Sequence, residues 1–364
     1  MKKIIPILLV PIFFHGCKEA PSTLSQSNEK KIIAPDQFQP SQRRVKQEGY
    51  SEVAYQINLH KQKVLDNPSD KRAHLVLATY YHRMGKMQQA IKHFEHADLV
   101  EPLEESKKLL LAQLYAQNNQ LDKALNIYNI YTKKYPTSWK LKNDIANVYR
   151  KQQQYQKALD IVEQLLREKK DNIFAIHTLA NIYADQKKYD LAELTLHRAR
   201  KLNPKNAETW NQLGVTYVHI GYREEAQKSF LAATSRNPQL IQPKMNLAQS
   251  YIDHHDYNNA AKLYKDILSI EPLELTAIYH LGVSSAALGL DDAANESFIG
   301  MVKIDPQNAK AMYALGILNQ YHMQDGQKAV QYYNRFIALS PGLSKQHEVF
   351  THLKKKKKMP PKVD

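Results

Sequence analysis

Cysteine occurs once in 364 residues, at Cys17. No disulfide forms within such a chain, and no thiolate metal centre can be built in it. Glycine is scarce, at 11 residues, and nowhere makes the glycine-rich loop that cradles a phosphate. The nucleophile elbow and the paired-histidine motif of zinc proteases are missing too. Beyond the first residues there is no long apolar run. The one that opens the chain, Ile4 to Phe14, falls well short of the ~20 residues that span a bilayer, and Pro6 and Pro11 would disturb a spanning helix. These absences give no footing to an enzyme, and no cofactor or resident metal is expected. His254-His255-Asp256 reads as a solvated turn, and His93 and His96 as neighbours on one helix face.

What is present is a period. Pro68, Pro102, Pro136, Pro204, Pro238, Pro272 and Pro306 fall on one grid with a step of about 34 residues. Lys170 takes the grid point without a proline. Pro341 sits one residue late, which an extra residue in the turn near Gly326 explains. A small residue recurs at Ala78, Ala112, Ala146, Ala180, Gly214, Ala248, Gly282 and Gly316, and an alanine at Ala90, Ala124, Ala158, Ala192, Ala226, Ala260, Ala294 and Ala329. Helices cross closely only where side chains are small, so the recurrence has a geometric cause.

The stretch Ala207 to Leu240 shows the unit most fully. One amphipathic helix carries Trp210, Leu213, Gly214 and Tyr217, the next Ala226, Phe230 and Ala233; Gly221 lies in the turn and Pro238 closes the unit. It resembles the tetratricopeptide repeat at each position of that pattern. The resemblance implies an all-α superhelical solenoid of about eight helix-turn-helix repeats over residues 71–343, with capping helices. Residues 50–70 are expected to form an N-terminal capping helix with Val53, Ile57, Val64 and Leu65 on its apolar face, and 344–364 a capping helix and polybasic tail. Tyr81, Tyr115, Tyr149, Tyr183, Tyr217 and Tyr251 hold one repeat position and are expected to pack in the core. Ser285 and Asn319 replace tyrosine there in the last two repeats, which predicts looser packing.

The opening MKKIIPILLVPIFFHGC has a basic start and an apolar run, as a secretory signal peptide does. Cys17 directly after Gly16 resembles the lipobox of bacterial lipoproteins, with Phe14 and His15 where an aliphatic and a small residue are usual. The resemblance implies a signal peptide over 1–16, lipidation at Cys17 and a flexible linker over 17–49, with a reach of roughly 30 Å. The expected location is the bacterial envelope, facing the periplasm, with Lys18 favouring the outer membrane.

Net charge is +15. From Lys71 to Leu343 there are 34 Lys and Arg against 27 Asp and Glu. Lys354 to Lys358 form a run that repels itself, ahead of Pro360 and Pro361, and reads as a solvated tail able to meet anionic lipid or glycan. Nucleic acid is not an expected partner, since no aromatic-basic stacking platform is apparent. In the family that the repeats resemble, first helices line a groove that receives a peptide or a partner's helix. Register places Lys140, Asn143, Asn147, Arg150, His177, Asn181, Asn211, Gln212, Asn246 and Gln249 there as exposed positions. Asn and Gln offer both donors and acceptors to a peptide backbone. Farther along, Tyr279, Val283, Tyr313, Ile317 and Tyr321 would seat an apolar helix or strand. Glu208 and Gln212 stand where a chaperone-tail clamp would want basic residues. The reading is a non-enzymatic protein-interaction scaffold at the envelope, serving pilus, secretion or cell-wall machinery. The alternative is a subunit of a surface polysaccharide system.

Overall fold

The computed structural model describes residues 42–356 except 345, with side chains from 50 to 353. The signal peptide, Cys17, the linker as far as residue 41, and Lys357 and Lys358 lie outside the described residues.

The described residues form eighteen helices. A long α1 (Gln42–Asp66) precedes eight pairs: α2 (Lys71–Arg83) with α3 (Met87–Val100), α4 (Glu105–Gln117) with α5 (Leu121–Lys134), α6 (Trp139–Lys151) with α7 (Tyr155–Glu168), and α8 (Ile173–Asp185) with α9 (Tyr189–Leu202). Then come α10 (Ala207–Ile220) with α11 (Arg223–Arg236), α12 (Ile241–Asp253) with α13 (Tyr257–Ile270), α14 (Leu275–Ala287) with α15 (Asp291–Ile304), and α16 (Ala309–Tyr321) with α17 (Gly326–Ala338). A last α18 (Glu348–Lys356) takes in the first three lysines of the tail run.

The grid dictates where helices start and turn. Five of the first helices begin after a capping side chain: Asp70, Ser138, Asn172, Asn206 and Asn308 each accept a hydrogen bond from the backbone N–H three residues on, satisfying a donor that the first turn leaves bare. Within each pair the chain reverses through a left-handed residue, at 85, 119, 153, 187, 221, 255 and 289, then at 324. The one-residue slip at Gln324 is the extra residue anticipated near Gly326. The second-helix alanines are all 2% exposed or less. The crossings leave no spare room: a Cβ on Gly316 would lie 2.3 Å from the Tyr333 ring.

Two compact units appear. Among the described residues, one is 60–250; the other joins 42–59 to 251–356. In the second, the first half of α1 meets α15, where Tyr50 covers Gly300 so closely that a Cβ there would sit 2.8 Å from the ring. Burial, with Glu296 nearby, pushes the Tyr50 phenol up. Val53 and Ile57 are buried, whereas Leu65, expected on the same apolar face, is 73% exposed. Tyr81 and Tyr115 are buried, while Tyr149, Tyr183, Tyr217 and Tyr251 are half-buried. Phenol oxygens reach polar partners: Tyr115 donates to Glu95 at 2.7 Å and Tyr217 to Glu193 at 3.0 Å. The expected loosening at Ser285 and Asn319 is absent. Both are buried, and Asn319 donates to the Leu315 carbonyl at 2.8 Å, so its amide is spent inside the helix layer.

Candidate functional site

Within residues 60–250 the first helices of repeats two to five enclose a cavity of about 430 Å³, inside the range of small-ligand pockets. Gln113 and Gln117 come from α4, Asn143, Asp144, Asn147 and Lys151 from α6, His177, Thr178 and Asn181 from α8, and Glu208 and Gln212 from α10. Lys205 and Arg236 close one end, from the inter-repeat turn and the end of α11. Arg236 is committed: Nε donates to the Pro204 carbonyl at 2.8 Å, and the guanidinium lies 4.3 Å over the Trp210 ring. Lys151 donates to the Ala116 carbonyl at 3.2 Å.

Many of the polar groups join one repeat to the next. Arg150 Nε donates to Asn147 Oδ1 (3.4 Å), Asn147 Nδ2 to Thr178 Oγ1 (3.2 Å), and the Thr178 hydroxyl to Asn143 Oδ1 (2.9 Å). The same Arg150 donates to Asp185 at 2.6 Å. Four side chains of α6 and α8 thus form one chain of bonds, closed by an ion pair. The next interface repeats the device. Thr209 gives its proton to Asn206 Oδ1 (3.1 Å) and accepts from His177 Nε2 (2.8 Å), which fixes the proton on that nitrogen. Burial holds the His177 imidazole down at about 4, hence neutral near pH 7. One repeat on, Asn246 Nδ2 donates to Asn211 Oδ1 at 2.9 Å, and Gln242 donates to Asn246 at 3.1 Å.

This corrects the expectation that the register positions are exposed. Asn143, Arg150, His177 and Asn211 are buried, because the adjacent first helix covers each of them. Lys140, Asn147, Asn181, Gln212, Asn246 and Gln249 are half-buried. Of these register positions, Asn181 and Gln212 line the cavity, and among the described residues no partner engages the Asn181 amide and Gln212 Oε1 is buried with no donor. A buried acceptor left bare costs about 1–3 kcal/mol, which a ligand N–H would recover.

In the other unit the aromatic seat is occupied. Tyr279 is buried, with the Lys310 ammonium 3.7 Å over its ring. Tyr313 is buried beneath α18: Val349 joins its apolar cluster, the Tyr321 hydroxyl lies 2.9 Å from His352 Nδ1, and His352 stacks on Tyr333. The chain's own last helix therefore covers the place expected to receive a partner's helix or strand at Tyr313. Sequence reading also missed His74, whose Nδ1 lies 3.0 Å from His93 Nδ1 and whose ring stacks on His96. Burial, and then His74 and the neighbouring cations, pull His93 down to about 4. In the turn after α12, His255 takes a left-handed conformation and its ring meets the Tyr257 hydroxyl.

Models of the tetratricopeptide repeat match residues 71–102, 109–173, 149–211, 207–240 and 310–342, together more than half of the chain. The BBSome complex member BBS4 of Bos taurus is 29% identical over 126 residues, which is 35% of this chain and 24% of that protein. Protein bimA of Emericella nidulans is 25% identical over 113 residues, 31% of this chain and 14% of that one. The chain thus spans a quarter or less of the length of these relatives. Among solved structures, Pseudomonas aeruginosa PilF superposes with a TM-score of 0.50 at 15% identity, over 60% of this chain and 97% of the other. That likeness concerns the fold alone.

Proposed function

We propose that this chain, a member of the tetratricopeptide repeat family, is a non-enzymatic scaffold that holds a partner protein in the cavity of repeats two to five at a bacterial envelope. One observation carries the site: Asn181 and Gln212 both line that cavity, and among the described residues neither the Asn181 amide nor Gln212 Oε1 has a hydrogen-bond partner. A partner's backbone satisfies both. The neighbouring asparagines hold the first helices in place and frame the site. The envelope location rests on the leader and on Cys17, where a diacylglyceryl anchor would leave a linker of about 30 Å between membrane and fold. Pilus, secretion and cell-wall machineries are the settings that such a tether suits.

Two measurements test this reading. Affinity capture from solubilised envelope is expected to return a discrete partner that Asn181→Ala with Gln212→Ala releases, with an unchanged circular dichroism spectrum. Capture that ignores both substitutions removes the cavity from the account. Metabolic fatty-acid labelling is expected in the native chain and absent in Cys17→Ser; no label in either ends the lipoprotein reading.

A further inference from the structure

The positive charge of the repeats is not spread evenly. In each pair a short turn reverses the chain, so the end of every second helix and the start of the next first helix share one edge of the stack. Segments 132–138, 166–172, 200–206 and 234–240 all fall on that edge, within the unit 60–250. They hold nine Lys and Arg against two acidic residues, Glu168 and Asp171. That excess equals the excess of the whole repeat array, 34 against 27. It begins at repeat two, because the corresponding stretch of repeat one is acidic, with Asp98 paired to Lys108 and Glu101 to Lys71.

Basic residues at helix C-termini also complement the helix dipole, and some here have local work. Lys134 pairs with Glu105 at 2.8 Å, and Arg200 and Arg236 lie on Trp210. Lys133, Lys169, Lys170, Lys201 and Lys205 do not: all are exposed, and among the described residues no acidic side chain pairs with them. A dipole contribution does not explain the second feature of the edge. Of fourteen exposed large apolar side chains among the described residues, five lie at or within about a turn of these four segments: Ile130, Tyr135, Trp139, Leu202 and Leu231. Trp139 is 42% exposed at the first position of α6, stacked on Phe174 with ring centroids 4.9 Å apart.

We infer that this edge is a membrane-contact surface that takes an anionic lipid bilayer. Lysines meeting lipid headgroups between apolar and aromatic side chains that enter the interface is the arrangement by which peripheral elements bind such bilayers. An acidic glycan or acidic protein would be matched by the lysines but would leave Ile130, Tyr135 and Trp139 without a use. The contact is separate from the cavity amides and from any lipid on Cys17.

The chain contains two tryptophans, so Trp210→Phe leaves Trp139 as a single reporter on the edge. The test uses the full chain with Trp210→Phe and Cys17→Ser, and vesicles of phosphatidylcholine with or without 30% phosphatidylglycerol. Beyond the binding to neutral vesicles, anionic vesicles are expected to bind the chain in a salt-sensitive way, shift Trp139 emission to the blue, and quench it when the lipid is brominated. Neutralising Lys169, Lys170 and Lys201 to Gln is expected to lower the partition coefficient by about 100-fold, from roughly 1 kcal/mol per lysine at the surface, with helix content unchanged. Binding that survives this change, including binding through Lys354 to Lys358 alone, overturns the inference. So does anionic-vesicle binding without a Trp139 response, or retention on polyglutamate by a chain that ignores vesicles. Should the triple variant lose helix content, Lys133→Gln with Lys205→Gln replaces it, with about a 30-fold loss expected on the same basis.

Discussion

Lys187 holds a φ of 60° in the turn between α8 and α9, a conformation that costs a residue bearing a Cβ about 1–2 kcal/mol. The equivalent place one repeat on is Gly221, with φ 95° and nothing within 4 Å of where a Cβ would lie. Lys187→Gly is therefore expected to raise the urea midpoint, by about 1 kcal/mol of stability, and Gly221→Ala to lower it. A second prediction concerns pH. His177 titrates near 4 in the fold and near 6.5 in an unfolded chain. The unfolded state thus takes up the proton first, and stability falls as pH drops below 6.5. Between pH 7 and pH 5 this single group removes about 2 kcal/mol. His177→Gln keeps a donor for Thr209 and should flatten that slope in urea titrations; an equally steep slope in the variant would place the acid sensitivity elsewhere. Register identified the face that Asn143, His177 and Asn211 occupy, but periodicity does not say whether a neighbouring helix covers that face. A finer signal was available: Asn143 meets Thr178, Arg150 meets Asp185 and Asn211 meets Asn246, each 35 residues on.

At the scale of the helix, the alanine at each crossing was readable, because it repeats with the period. Thr178 is the element-level test. It donates to one asparagine of α6 and accepts from another, so Thr178→Val leaves two polar groups unpaired and should cost about 1–3 kcal/mol. In a solenoid each repeat leans mainly on its neighbours. Hydrogen exchange should therefore quicken around residues 139–185 first and leave α2 and α3 unchanged; uniform loss of protection would contradict stacking by neighbours. The terminal helices were less legible. Nothing in the sequence of α1 points to Gly300, and that contact joins residues some 250 positions apart. Likewise the aromatic stripe at Tyr313 and Tyr321 looks the same in sequence whether a partner or α18 covers it. Both cases depend on a single unrepeated helix, where there is no period to read.

For the whole molecule, the repeat architecture follows from the grid, and partner identity does not, since many side-chain sets fit the same backbone. Among the described residues, the cavity of repeats two to five keeps amides without a partner, at Asn181 and Gln212 among others, while Asn143, Asn147 and Asn211 are consumed in the stack. The most direct measurement is photo-cross-linking from single positions of the full chain in its own membranes. A benzoyl-phenylalanine at Asn181, in the cavity, is compared with one at Leu194, which is 67% exposed on α9. The account predicts one discrete cross-linked partner from position 181, lost when Gln212→Ala is added, and none from position 194. The same partner captured from position 194 and not from 181, or capture at 181 that ignores Gln212→Ala, would contradict it.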